Sequence, residues 1–133
     1  MRPVVLDPSV LVSALINPDG APGRLLLEVQ EGQFELIASP GLLAELERVV
    51  RRGKFRRYFE LDAALEFVSF IRSDATLVPD PGHRTPLRSP DPKDDYLIAL
   101  AHGHSALLVS GDKHLLDLSG GAPILGPSDL LAA

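Results

Sequence analysis

Two hydrophobic periods alternate along this chain. Short apolar runs, several rich in β-branched residues, occur at Pro3-Val4-Val5-Leu6, Phe34-Glu35-Leu36-Ile37-Ala38, Ala75-Thr76-Leu77-Val78, Ala106-Leu107-Leu108-Val109 and Pro123-Ile124-Leu125. Their length and near-continuous apolarity predict strands, the first of them fully buried. Between them the spacing becomes helical: from about Ser9, over 24–31 with a stop at Gly32, from Ser39-Pro40 to about Arg52, over 61–72, and from Asp91-Pro92 onward. Ser39-Pro40 and Asp91-Pro92 both read as an N-cap followed by a proline at the first helical position, where the missing N–H costs nothing. Asn17-Pro18-Asp19-Gly20 predicts a turn, and residues 79–90, with four prolines and no periodicity, predict an exposed loop. Strands alternating with helices imply a parallel sheet with helices on both faces, and no internal repeat divides the chain.

Such sheets bind ligands outside the carboxyl ends of the strands, at the point where strand order reverses. Asp7 and Asp112 each stand at or just beyond a predicted strand's carboxyl end. A third acid stands out in Asp91-Pro92-Lys93-Asp94-Asp95-Tyr96-Leu97-Ile98. On the helical wheel Asp94 shares the stripe of Leu97, Ile98 and Ala101, whereas Asp95 lies round toward Ala99 and His102. A carboxylate on a buried stripe is costly unless it is paired or bound to a metal. Each acid also has a plain structural reading: Asp7 and Asp91 as helix N-caps, and Asp112 as the cap of a short turn over 113–117. In the helix after Ser39, Glu45 and Glu47 flank the apolar arc of Leu42, Leu43, Leu46, Val49 and Val50 on opposite sides, and periodicity does not choose between them.

Taken together, Asp7, Asp94 and Asp112 are anions that the fold would gather, and gathered anions repel unless a cation joins them. Hard oxygen donors without His or Cys suit Mg²⁺ or Mn²⁺, and such an ion activates water and stabilises charge on a phosphodiester. Composition narrows the partners. The chain has 133 residues, within the range of one domain, with 45% hydrophobic and 23% charged residues and no cysteine, so disulfide, thiol and zinc–thiolate chemistry are absent. A net charge of -5 argues against a general electrostatic nucleic-acid binder and leaves room for a local basic patch. No apolar run reaches the ~20 residues of a membrane span, and the N-terminus lacks a secretory pattern, which fits a cytoplasmic location.

The sequence resembles the PIN-domain nucleases, in particular their toxin-type (VapC-like) branch, over nearly its whole length. Val4-Val5-Leu6-Asp7 with Val10-Leu11-Val12 is similar to the family's opening motif, Ser39-Pro40 through Glu45-Leu46 to its second, and Asp91-Pro92-Lys93-Asp94-Asp95 with Val109-Ser110-Gly111-Asp112 to its third and fourth. The resemblance selects Glu45 over Glu47. It implies a three-layer α/β/α sandwich around a short, mostly parallel sheet, forming one domain over 1–133. It also implies a Mg²⁺- or Mn²⁺-dependent endoribonuclease with Asp7, Glu45, Asp94 and Asp112 catalytic, the metal on Asp7, Asp94 and Asp112, and Ser9, Asp95 and Ser110 supporting them. Cleavage of single-stranded RNA, a small antitoxin partner and a homodimer come with the resemblance. The chain departs from the usual opening at Pro8, where Thr is common, and has Ser110 where Thr is common. Pro8 favours one alternative, a catalytically weakened module that binds RNA or a protein partner. A phosphoryl-accepting receiver would need a Lys near Leu125-Gly126-Pro127, and a haloacid-dehalogenase-type phosphatase would need an acid at Ser9; neither is present.

Arg48, Arg51, Arg52, Lys54, Arg56 and Arg57 crowd into ten residues beside Phe55 and Tyr58. They read either as a solvated helix end favoured by the helix dipole or as a phosphate-tracking patch on the helix of Glu45, with Arg48, Arg51, Arg52 and Arg56 as the candidate contacts. His102, His104 and His114 do not read as a metal site, since His102 and His104 surround Gly103 at a helix end and suit surface capping.

Overall fold

The computed structural model describes residues 1–82, 92–112, 116 and 124–132, the side chains of 92–94 excepted. The sheet is organised on β1 (Arg2–Leu6), whose Val4, Val5 and Leu6 are fully buried. A strand with no polar side chain over three residues can rest only where both faces are covered, which is the centre of a sheet. β2 (Phe34–Ala38) pairs with it on one side and β4 (Leu107–Val109) on the other. β3 (Thr76–Leu77) and β5 (Ile124–Leu125) complete the order β3-β2-β1-β4-β5, in which every pairing is parallel. The sheet is thus wholly rather than mostly parallel, and helices flank it: α1 (Pro8–Ile16), α2 (Ala21–Gln30), α3 (Pro40–Val50), α4 (Leu61–Asp74), α5 (Pro92–Gly103) and α6 (Pro127–Ala132).

From β1 the chain steps outward through β2 to β3, then returns across β1 to β4 and β5. The strand order therefore reverses between β1 and β4, and the carboxyl ends of these two strands lie side by side. Leu6 is in register with Val109, and the Asp7 N–H donates to the Val109 carbonyl at 2.9 Å. The Ser110 N–H in turn donates to Leu125 of β5 at 3.0 Å.

Three elements differ from the periodicity reading. α2 begins at Ala21 rather than at residue 24, since Pro22 falls within the first turn, where proline is tolerated. α6 was not anticipated; it is six residues long and opens on Pro127. Around α5 the interior reaches further than the wheel implied: Leu97, Ile98, Ala99, Leu100 and Ala101 are all buried. The helix packs against both β1 and β4 over the middle of the sheet. Asp95 is half-buried, and the side chain of Asp94, with which the wheel contrasts it, lies outside the described residues.

Helices α2 and α5 end in the same way. After α2, Gln33 N–H donates to Glu28 and Gly32 N–H to Val29, with Gly32 at φ 83°. After α5, Ala106 N–H donates to Ala101 and Ser105 N–H to His102, with Ser105 at φ 50°. Both are Schellman turns that satisfy the last carbonyls. His102 and His104 are exposed, and the left-handed residue is Ser105 rather than Gly103. His114 lies outside the described residues. Among the described residues no helix is long and apolar enough to cross a membrane.

Candidate functional site

At the switch point the backbone fixes Asp7 before any ligand is considered. It caps α1, accepting the Ser9 N–H on Oδ1 at 3.0 Å, and Pro8 occupies the position where its missing donor is not needed. The Ser110 hydroxyl, fully buried at the end of β4, donates to Asp7 Oδ2 at 2.8 Å and accepts the Asp112 N–H at 2.9 Å. One hydroxyl thus ties the carboxylate that ends β1 to the backbone of the acid that follows β4. Asp7 is 8% exposed. A carboxylate this buried depends on hydrogen bonds to its charged form, and it has two. The cap reading of Asp7 and the site reading are therefore compatible: each oxygen spends one lone pair on a fixed donor and keeps capacity for another ligand.

A cleft of about 840 Å³ opens in front of Asp7. Its walls come from α1, the face of α3 that carries Gly41, Glu45 and Arg48, the turn beyond α3, the segment at Asp80-Pro81, and Tyr96 and Leu97 of α5. Glu45 and Glu47 separate here. Glu45 lines this cleft, whereas Glu47 lines a second groove with Leu43, Arg72 and Leu77. Glu45 forms a bidentate pair with Arg48, at 2.6 Å through Oε1 and 3.0 Å through Oε2. The hydrogen bond to Glu45, and then its charge, hold the Arg48 guanidinium above its ordinary pKa, so it stays a cation at any working pH.

The other candidate cations are dispersed. Arg51 pairs with Glu47 at 3.4 Å on the helix surface and does not line the cleft. Arg56, grouped above with the phosphate contacts, turns inward and donates to the Val50 and Arg52 carbonyls at the end of α3. The Val50 carbonyl, one of those left without an intrahelical partner at the helix end, thereby gains a donor, while the Arg52 carbonyl lies beyond the helix and also accepts the Phe55 N–H. Arg52 lines the cleft, and so does Lys54, which the expected phosphate contacts did not include.

Asp80 was missed altogether. Its Oδ1 accepts the Gly41 N–H at 2.8 Å, capping α3 from 39 residues away, and it lines the cleft with Pro81. A Cβ at Gly41 would come within 2.7 Å of that oxygen, so glycine leaves the space the carboxylate occupies. Only the fold brings the two together; nothing in Pro79-Asp80-Pro81-Gly82 signals it.

The donor chemistry at Asp7, all oxygen and partly presaturated by hydrogen bonds, fits a hard divalent cation. Among the described residues no three His, Asp or Glu side chains are gathered closely enough to hold one. The Asp94 side chain and the whole of Asp91 lie outside the described residues, as do 113–115 and 117 of the turn expected after Asp112.

Comparison with known proteins points one way. A family profile described as "PIN domain" matches residues 3–114. The uncharacterized protein MJ1680 of Methanocaldococcus jannaschii is 30% identical over 115 residues, covering 86% of this chain and 74% of that protein. PAE2754 from Pyrobaculum aerophilum superposes with a TM-score of 0.69 at 16% identity, over 98% of this chain and 88% of that one. VapBC2 from Rickettsia felis, solved bound to a DNA fragment from its promoter, gives a TM-score of 0.60 at 17% identity, over 93% and 97%. At these identities the two structures speak to fold.

Proposed function

The chain belongs to the PIN-domain family, whose members are generally nucleases using divalent metal ions, and on that premise we propose that it is a Mg²⁺- or Mn²⁺-dependent endoribonuclease acting on single-stranded RNA. The observation that carries this reading is the Asp7 carboxylate. It is buried at the strand-order reversal, held through both oxygens, and opens on a cleft that also contains Glu45 and cations. Asp7, Asp94 and Asp112 would hold the metal. When bound, that ion would activate water and neutralise charge developing on the phosphodiester.

The chain's own residues do the rest. The Ser9 N–H and the Ser110 hydroxyl hold the Asp7 carboxylate in one orientation, so that no reorganisation is needed when charge develops. Glu45 of α3 has its side chain 31% exposed, so a proton it takes can pass on to solvent. Its pairing with Arg48 sets a phosphate-binding cation beside a carboxylate able to take that proton. Arg48 and Arg52 favour the anionic backbone of a substrate that the chain's net charge of -5 would otherwise repel. Asp95 supports the acid cluster from α5. Likeness to VapBC2 supports a toxin-type role with a small antitoxin partner. A homodimer completes the proposal, resting on the family resemblance.

The test is a pair of measurements. Mg²⁺ or Mn²⁺ should raise the melting temperature, by an amount equivalent to about 2.7 kcal/mol at a hundredfold excess over Kd, and should support cleavage of single-stranded RNA. Asp94→Asn should abolish cleavage, while Asp91→Ala should still cut but lose about 0.5–2 kcal/mol as a missing cap. Absence of both a thermal shift and cleavage in the parent would favour the non-catalytic binding module.

A further inference from the structure

Beyond Val50 the chain does not simply fray. Arg51 closes α3, Arg52 turns extended, and Gly53–Phe55 forms one turn of 3-10 helix. Phe55 N–H donates to Arg52 at 3.1 Å and Arg56 N–H to Gly53 at 3.0 Å. The Arg56 guanidinium then locks this turn to the helix end through the Val50 and Arg52 carbonyls. The result sets Arg52, Lys54 and Phe55 together along the cleft that begins at Asp7.

Two properties of these three residues point to a ligand. Unlike Arg48 and Arg51, neither Arg52 nor Lys54 has a carboxylate partner within 4.0 Å among the described residues. The Lys54 ammonium lies instead over the Phe55 ring, 5.2 Å from its centroid, and a base stacking there would displace this flexible side chain from the ring toward the adjoining phosphate. Phe55 is half-buried and is backed by Phe59, whose ring stacks on it at 5.8 Å and 12°. A guanidinium backs Phe59 in turn, with Arg56 5.4 Å from its centroid. The ring is thus supported from behind while its residue lines a wide cleft.

We infer that the Arg52–Phe55 turn is a nucleotide subsite, in which the Phe55 ring stacks one unpaired base of the RNA while Arg52 and Lys54 take the adjoining phosphates. This rests on the nuclease reading above and deepens it. A supported aromatic face beside uncompensated cations is the pairing that binds single strands, because every base has a π-face but only an unpaired one can reach a protein ring. Duplex RNA has its bases already stacked and should be rejected. The subsite would therefore set the strand selectivity of the enzyme at a distance from its acids, without reading sequence.

Binding is measured by fluorescence anisotropy with a labelled single-stranded oligoribonucleotide, in an Asp7→Asn background so that the RNA stays intact. Phe55→Leu, which keeps the apolar character, should weaken binding roughly five- to a hundredfold. Phe55→Trp should restore it to within a fewfold of Phe. Removing single bases from the oligonucleotide should reveal one position whose loss weakens binding to Phe55 protein and has no effect on the Leu variant. An equal concentration of duplex RNA should compete poorly. Denaturant midpoints of the variants separate recognition from damage: a Leu variant that is folded and still binds like the parent overturns the inference, as does a Trp variant no better than Leu. Equal competition by duplex overturns it too. Failure of the nuclease reading is visible separately, as absence of cleavage by the Asp7 protein with Mn²⁺ while the Phe55-dependent binding persists.

Discussion

Ser110 shows how much a single hydroxyl can carry. It donates to Asp7 and accepts from Asp112 N–H, and it is completely buried. Ser110→Ala removes both bonds and leaves polar groups in a site with little water. We expect a loss of about 1–3 kcal/mol in urea unfolding, together with weakened metal-induced stabilisation, because Asp7 and Asp112 lose their common tie. Ser110→Thr keeps the hydroxyl and should preserve both properties. Asp7→Asn should behave differently: the amide oxygen can still accept the Ser9 N–H, so the cap survives. The ligand charge is lost, however, and the Ser110 hydroxyl must turn to accept from the new amide, so cleavage should vanish at a stability cost of about 1 kcal/mol. Had the carboxylate been only a cap, this variant would still cut. At this scale the sequence was legible wherever a residue's role follows from its own position: Asp7 could be placed at a strand end because the strand ends in three aliphatic residues. Arg56 was not legible. Its charge grouped it with its neighbours, and only the course of the chain after Val50 reveals that its donors reach back to carbonyls.

Helices α2 and α5 supply a matched comparison at the scale of the element. Both end in Schellman turns with the same two hydrogen bonds, but one places glycine at the left-handed position and the other serine. An L side chain costs roughly 1 kcal/mol in that conformation. Ser105→Gly should therefore stabilise the protein by a few tenths to about 1 kcal/mol, and Gly32→Ala should destabilise it by a similar amount, both read as denaturant midpoints. Opposite signs from two small substitutions would tie the effect to φ rather than to side-chain packing. Gly32 announced itself as a helix stop because apolar periodicity ends beside it. Ser105 did not: α5 ends at Gly103, where the helix end was expected, but the left-handed residue that closes the turn stands two positions further on.

Across the whole molecule, charge is divided rather than balanced. A chain of net charge -5 presents Arg52 and Lys54 to its cleft without a carboxylate partner among the described residues, while Arg48 is paired with Glu45 in the cleft and Arg51 with Glu47 on the surface. RNA binding should therefore weaken with salt. Replacing Arg52 and Lys54 by Gln should reduce the slope of log K against log salt by about 0.7 for each phosphate no longer neutralised, whereas Arg51→Gln should leave it unchanged. Exposed ion pairs such as Arg51–Glu47 contribute about 0–1 kcal/mol, so the three substitutions should have little effect on stability. Equal slopes for the two sets would show that the cleft cations do not meet phosphate.

What the sequence determined by itself was local: the periods of its strands and helices, the caps at Ser39-Pro40 and Asp7-Pro8, and hence an α/β alternation that admits few sheet arrangements. These follow from steric and hydrogen-bonding preferences that act within a few residues. The tertiary structure alone decided which strand ends would be neighbours. The reversal of order between β1 and β4 sets Asp7 beside Ser110, 103 residues away, and β2 carries α3 so that Glu45 shares their cleft. It decided also that Asp80 caps Gly41 and that Phe55 lies on Phe59 at the cleft's edge. Periodicity reports which side of an element is buried, since that depends only on spacing along one chain direction. It cannot report what waits on that side, because the meeting of distant segments is fixed by the packing of the whole sheet.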